Sequence, residues 1–250
     1  MIRALLCDAD GCLFPSEEPA FAASAGVTNR LLADHGIDVR FEPEQLKAYA
    51  VGRNFRATAL ELAAAHGVAI DPLELERRVE EERDAVIDHL REVLTPDPAV
   101  LGPLTRLAER CELAVVSSSA LARLDACFEA TGLAELFPPA MRFSAEDSLP
   151  VPASKPDPAV YALAGERLGV AGEDALAVED SASGARSALA AGFPTIGNAV
   201  FVPPAERAER VAALRRAGVA AVVGSWDEVE EAVSRRWRSS SAPAARSPAR

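Results

Sequence analysis

Two aspartates one residue apart, Asp8 and Asp10, follow the short apolar run Ile2 to Cys7. Such a run predicts a strand that delivers both carboxylates to its carboxyl end, and on a continuing strand their side chains would share a face. Three further polar groups follow the same logic. Leu113–Val116 leads into Ser117, Ser118 and Ser119; Ser154-Lys155-Pro156 precedes a helical stretch; Ala175–Val178 leads into Glu179 and Asp180. Together they offer a carboxylate nucleophile, a proton carrier, hydroxyl donors, one cation and hard oxygen ligands for a metal. His35, His66 and His89 lack tight ligand spacing, so acid–base work falls to carboxylates and a histidine-rich zinc centre is not expected.

The elements that must position these groups come in two kinds. After Pro15 the pattern turns alanine- and leucine-rich, predicting helices near Pro19–His35, Glu44–Ala50, Asn54–His66 and Pro72–Leu94, with Gly36 and Gly67 at helix ends. From Pro96 onward helical stretches alternate with apolar runs at Leu113–Val116, Ala175–Val178, Thr195–Ile196 and Ala220–Val223, the signature of a parallel α/β sheet. Open sheets of this kind bind ligands at the carboxyl ends of their strands, where the four polar groups would converge. The expected organisation is an α/β core of residues 1–15 and 96–237, a helical insertion of 16–95, and a Ser/Pro/Ala-rich tail of 238–250 expected to be disordered.

Taken in order, Asp8-Ala-Asp-Gly-Cys-Leu-Phe14, Val115-Val-Ser-Ser-Ser119, Ser154-Lys-Pro-Asp-Pro158 and Val178-Glu-Asp-Ser-Ala-Ser-Gly184 resemble the motifs of the haloacid-dehalogenase superfamily. The similarity is to its helical-cap phosphatase and β-phosphoglucomutase-like branch, and it covers about residues 1–200. It implies a Rossmann-like parallel-sheet core with an inserted α-helical cap, and magnesium-dependent hydrolysis of a small phosphomonoester through an aspartyl-phosphate. By resemblance Asp8 is the nucleophile and Asp10 the proton carrier. Ser117 and the neighbouring backbone amides hold phosphate oxygens, Lys155 offsets their charge and helps orient Asp8, and Mg2+ sits on Asp8, the Asp10 backbone carbonyl and Asp180, with Glu179 as a ligand or supporting acceptor. Ser118 is a substrate-binding candidate, although any of the three serines could cap the next helix. Glu179 and Asp180 could likewise cap the helix beginning near Ser183.

In the insertion, Val51-Gly-Arg-Asn-Phe-Arg56 resembles a cap loop that reaches over the active site, making Arg53 and Arg56 candidates to clamp a substrate anion; a solvated helix start is the other reading. The rival functions are a sugar phosphomutase and a non-catalytic phosphate-binding regulatory protein. Ala20 stands near the position where the mutases carry a histidine that activates the accepting sugar hydroxyl, which favours hydrolysis.

Composition narrows the partners. An apolar content of 49% supports a substantial core, and a net charge of −12 opposes association with nucleic acid or anionic membranes. No apolar stretch approaches the roughly 20 residues of a membrane span, and acidic residues interrupt the start where a secretory leader would be apolar. A small phosphorylated metabolite and a cytoplasmic location are the expectation. Cys7, Cys12, Cys111 and Cys127 form no C-x-x-C pair and read as buried, reduced thiols, with Cys12 a small filler.

Overall fold

The computed structural model describes residues 2–50 and 53–241, with side chains through Arg235. Its centre is a six-stranded, wholly parallel sheet in the order β3-β2-β1-β4-β5-β6. The strands are β1 (Ala4–Cys7), β2 (Glu112–Ser117), β3 (Arg142–Ser144), β4 (Ala175–Glu179), β5 (Thr195–Asn198) and β6 (Ala221–Val223). Five helices lie between β1 and β2, the first four being α1 (Glu17–Asp34), α2 (Pro43–Tyr49), α3 (Phe55–Ala65) and α4 (Pro72–Val93). The others are α5 (Pro98–Ala108), α6 (Leu121–Thr131), α7 (Ala159–Leu168), α8 (Ala182–Ala190), α9 (Pro204–Ala217) and α10 (Trp226–Ser241).

The apolar runs make strands buried on both faces, as parallel sheets require. Alternation along β1 sends Leu5 and Cys7 to one side, where they pack with Leu113, Val115, Leu104 and Trp226. Ala4 and Leu6 face the other side with Ala114, Val116, Tyr161 and Ala164. Alanine recurs on this second face, letting α7 and α8 approach closely. The sheet is therefore a two-sided core that holds its strand ends rigid.

Helix boundaries follow local chemistry. Asn54 caps α3 by accepting from Ala57 N at 3.0 Å, and Asp71 caps α4 ahead of Pro72 in its first turn. The chain leaves α1 through Gly36 at φ +70°, a conformation that costs a side-chain-bearing residue more.

The structure departs from the sequence reading in three places. The strand before Asp8 begins at Ala4 and stops at Cys7, so Asp8 and Asp10 do not continue it; Gly11 at φ +77° turns the chain and Asp10 pairs only through an isolated bridge with Phe14. The edge strand β3 has three residues in a stretch with no apolar run to announce it. Helix α10 extends to Ser241 and so takes in the first four residues of the expected tail, while residues 242–250 lie outside those described, as do Val51 and Gly52 of the arginine-bearing loop. No helix of the described residues is long and apolar enough to cross a membrane.

Candidate active site

Strand register sets the site. Cys7 lies level with Val115 on β2 and Val178 on β4, so the next residue, Asp8, emerges beside the carboxyl ends of both neighbours. Its amide donates to Val178 O at 2.9 Å. Lys155 reaches this point from the loop before α7, and its ammonium is fully used: it donates to Asp8 Oδ1, to Val116 O at 2.8 Å and to Glu179 Oε1 at 2.6 Å. Glu179 is completely buried and also accepts from Tyr161 OH at 2.6 Å. Burial opposes the charge of Lys155, but Asp8 and Glu179 outweigh it and raise its pKa.

The pKa values of two carboxylates rise as well, which for an acid disfavours the charged form. Burial, reinforced by Glu179 and Asp180 against the pull of Lys155, pushes Asp8 well above the usual carboxylate range. Burial and the Glu179 charge carry Asp180 to about 7, although Arg210 Nη1 bonds its Oδ2 at 3.0 Å. Asp8, Glu179 and Asp180 bring one carboxylate oxygen each within 4.8 Å of one another. Three acids against Lys155 and Arg210 leave one negative charge uncompensated in a buried site. That is a donor set suited to a hard divalent cation, and Mg2+ fits it. Two glycines make the approach possible. A Cβ on Gly184 would lie 1.9 Å from Glu179 Oε2, and one on Gly11 would lie 2.7 Å from Asp180 Oδ2.

Asp10 sits in a separate cradle. Ser16 Oγ donates to its Oδ1, Arg123 Nη2 to the same oxygen at 2.7 Å, and Ser119 Oγ to Oδ2 at 2.6 Å. Burial would raise its pKa, but Arg123 and the two hydroxyls prevail and lower it. Ser117 is buried and its Oγ accepts from Ser119 N at 3.0 Å, while Ser118 Oγ accepts from Lys155 N at 3.3 Å. None of the three caps α6, whose cap position is Ala120 and whose first amide bonds Asp147. Cys12 is a buried filler with its thiol bonded to Val178 O, and all four cysteines are free and buried.

The structure thus gathers Asp8, Lys155, Glu179 and Asp180 at one point, with Asp10 and the serines beside it. Arg123, Ser119, Ser16, Tyr161 and Arg210 were not singled out by sequence for these contacts. Arg123 and Tyr161 lie inside ordinary helical stretches and carry no motif; Ser119 stood in the serine run as a possible cap. A cleft of about 950 Å3 opens between this edge and the helices, lined by Asp10, Ser118, Ser119 and Arg123 on one side and by α1, α3 and α4 on the other. Arg53 and Arg56 line it too, but each is engaged: Arg53 pairs with Glu61 and stacks on Tyr49, and Arg56 pairs with Glu76 at 2.6 Å.

Known proteins resemble this chain in sequence and fold. A stretch of 42 residues, 17% of this chain and 16% of that relative's length, matches "Protein CbbY, plasmid" of Cupriavidus necator at 55% identity. Among solved structures, CbbY of Rhodobacter sphaeroides in complex with phosphate superposes with a TM-score of 0.71 at 24% identity, over 92% of this chain and 96% of the other. The putative β-phosphoglucomutase of Thermotoga maritima gives 0.69 at 26%, over 94% and 99%. A HAD family hydrolase of Deinococcus radiodurans with bound phosphate and sodium gives 0.66 at 26%, over 94% and 96%. The model of the haloacid dehalogenase-like hydrolases matches residues 2–192, the span holding every strand-end carboxylate and Lys155, and the chain belongs to that family.

Proposed function

We propose that this hydrolase is a magnesium-dependent phosphatase that cleaves a small phosphomonoester through an aspartyl-phosphate on Asp8. The observation that carries the reading is Lys155 held between Asp8 and Glu179 beside a three-carboxylate cluster. A carboxylate attacking a phosphate dianion needs its repulsion removed, and this constellation provides fixed cationic charge where the dianion would sit. In this reading residues 16–95 form a cap over a core of 1–15 and 96–237.

Asp8 attacks phosphorus and the ester oxygen leaves with a proton from Asp10, whose carboxyl must first be released from Arg123, the group that favours its ionised form in the resting site. Asp10 then takes a proton from the water that attacks the aspartyl-phosphate and releases phosphate. Lys155 balances the phosphoryl oxygens and fixes the Asp8 carboxylate, with Ser117 and the amides after β2 as further donors. Mg2+, held by Asp8, Asp180 and the Asp10 carbonyl with Glu179 beside them, would supply the remaining charge neutralisation. Water rather than a second hydroxyl is the acceptor because Ala20, which lines the cleft on α1, has no group to take a proton.

The test is phosphate release from a panel of phosphorylated metabolites with and without magnesium, alongside β-glucose 1-phosphate with a bisphosphate primer. Release that requires magnesium supports the reading. Rapid isomerisation to glucose 6-phosphate with negligible free phosphate would replace it with a mutase, and specific phosphate binding without turnover would leave a regulatory protein.

A further inference from the structure

The cleft's charges are unevenly committed. The four arginines lining it already have carboxylate partners: Arg53 with Glu61, Arg56 with Glu76, Arg83 with Asp84 and Arg123 with Asp10. A second anionic group on a substrate would have to share a guanidinium with the carboxylate already on it and face that like charge.

A different chemistry is open on the same wall. Ser24 and Thr28 stand one turn apart on α1, and Glu82 projects from α4, the helix packed against it; all three line the cleft. Thr28 is 1% exposed, and its Oγ1 has no hydrogen-bond partner among the described residues. Glu82 accepts from Ser24, and burial raises its pKa. Across from them Arg123 Nε is also buried without a partner, although its Nη2 holds Asp10. A buried hydroxyl and a buried N–H without partners, on side chains that line a cleft, are donors and acceptors that a ligand can satisfy.

We propose that Ser24, Thr28 and Glu82, together with the open Nε of Arg123, form a subsite for a neutral, hydroxyl-bearing leaving group. The substrate is then a polyol or sugar monophosphate, not a bisphosphate or a phosphorylated carboxylic acid. Glu82 takes a hydroxyl hydrogen, Arg123 Nε gives one to a hydroxyl oxygen, and Thr28 can do either. An ammonium tail is disfavoured by the guanidinium of Arg123, whose charge already acts on Glu82. The inference rests on the phosphatase reading and narrows it.

The test compares kcat/KM in magnesium for glycerol 3-phosphate, propyl phosphate, phosphoethanolamine, 3-phosphoglycerate and propane-1,3-bisphosphate. Wild-type protein is set beside Thr28→Val and Glu82→Gln, both near-isosteric. The expected result is a preference of about tenfold or more for glycerol 3-phosphate over propyl phosphate, shrinking to under about threefold in each variant, mainly through KM. Preference for the carboxylate, the bisphosphate or the ammonium ester overturns the proposal, as does a ratio unmoved by both substitutions. Calorimetry with the corresponding non-hydrolysable phosphonates separates the two claims. Tighter binding of the hydroxylated phosphonate without hydrolysis of any ester sinks the phosphatase and keeps the subsite; equal binding of all phosphonates sinks the subsite whatever the turnover.

Discussion

The strand ends and the helical wall both carry many charges, and they use them in opposite ways. At the strand ends, Lys155, Asp8, Glu179 and Tyr161 are buried, and each bond removes a partner that no water can replace. On the helices, Arg30–Glu81, Arg53–Glu61 and Arg56–Glu76 are half-exposed pairs whose members solvent would also satisfy. The first set is expensive to hold and is retained where charge must be ready for chemistry; the second shapes a surface at little energetic consequence.

The contrast is broken most directly at Asp8. Asp8→Asn should lower phosphate release on the order of 10^4-fold with the circular dichroism spectrum unchanged, since the nucleophile is lost but not its size. Wild-type turnover in this variant would mean that the strand ends do not perform covalent chemistry. Lys155→Met comes next. It strands Asp8 and Glu179 as unpaired buried acids, a cost of about 3–5 kcal/mol in denaturant unfolding together with near-complete loss of activity. A stability equal to wild type would place Lys155 with the surface cations instead.

Gly184→Ala sharpens the comparison without touching any charge. The added methyl would overlap the Glu179 carboxylate, so about 1–3 kcal/mol of stability should go, along with much of the activity. Smaller still is the dependence on pH in a chelator. Asp180 titrates at about 7 in the fold and near 3.9 in an unfolded chain, so its contribution is present at low pH and lost as pH rises through 7. Thermal melts in EDTA should therefore fall between pH 5 and 8 more steeply than melts in magnesium, and Asp180→Asn should flatten the EDTA curve. The smallest effect belongs to the wall: Arg53→Ala and Arg56→Ala should change kcat/KM less than about threefold on any ester. A large rise in KM confined to anionic substrates would restore both to the clamp that the sequence suggested.

The sequence disclosed the strand-end half of this comparison because its signals are local. An apolar run followed by Asp8 or by Glu179-Asp180 is both the strand and the reactive group, and a parallel sheet obliges those ends to meet. The four helices were legible to within two residues at each end, through Asn54, Asp71, Pro72 and the glycines that follow α1 and α3. What sequence could not give is the partner of a long side chain. Whether Arg123 turns to Asp10, Arg210 to Asp180 or Arg53 to Glu61 depends on how α6, α9 and the segment ahead of α3 lie against their neighbours, and no spacing rule records that. Edge strand β3 escaped for a related reason: its three residues are held by pairing with β2, not by any hydrophobic pattern of their own.

The strand order has a consequence in time. Asp8 leaves the ribosome well ahead of its sheet partners: β1 is an inner strand whose two neighbours, β2 and β4, are made more than a hundred and about a hundred and seventy residues later. At about 5–20 residues per second, the interval between Asp8 and Glu179 is on the order of ten seconds or more. Throughout it the first strand has no sheet to join, while α1 to α4 can already pair among themselves. A nascent chain of this protein therefore carries its helical wall before it owns an active edge, and an apolar tetrapeptide, Ala4-Leu-Leu-Cys7, waits unpaired for a chaperone or for its own distant partners.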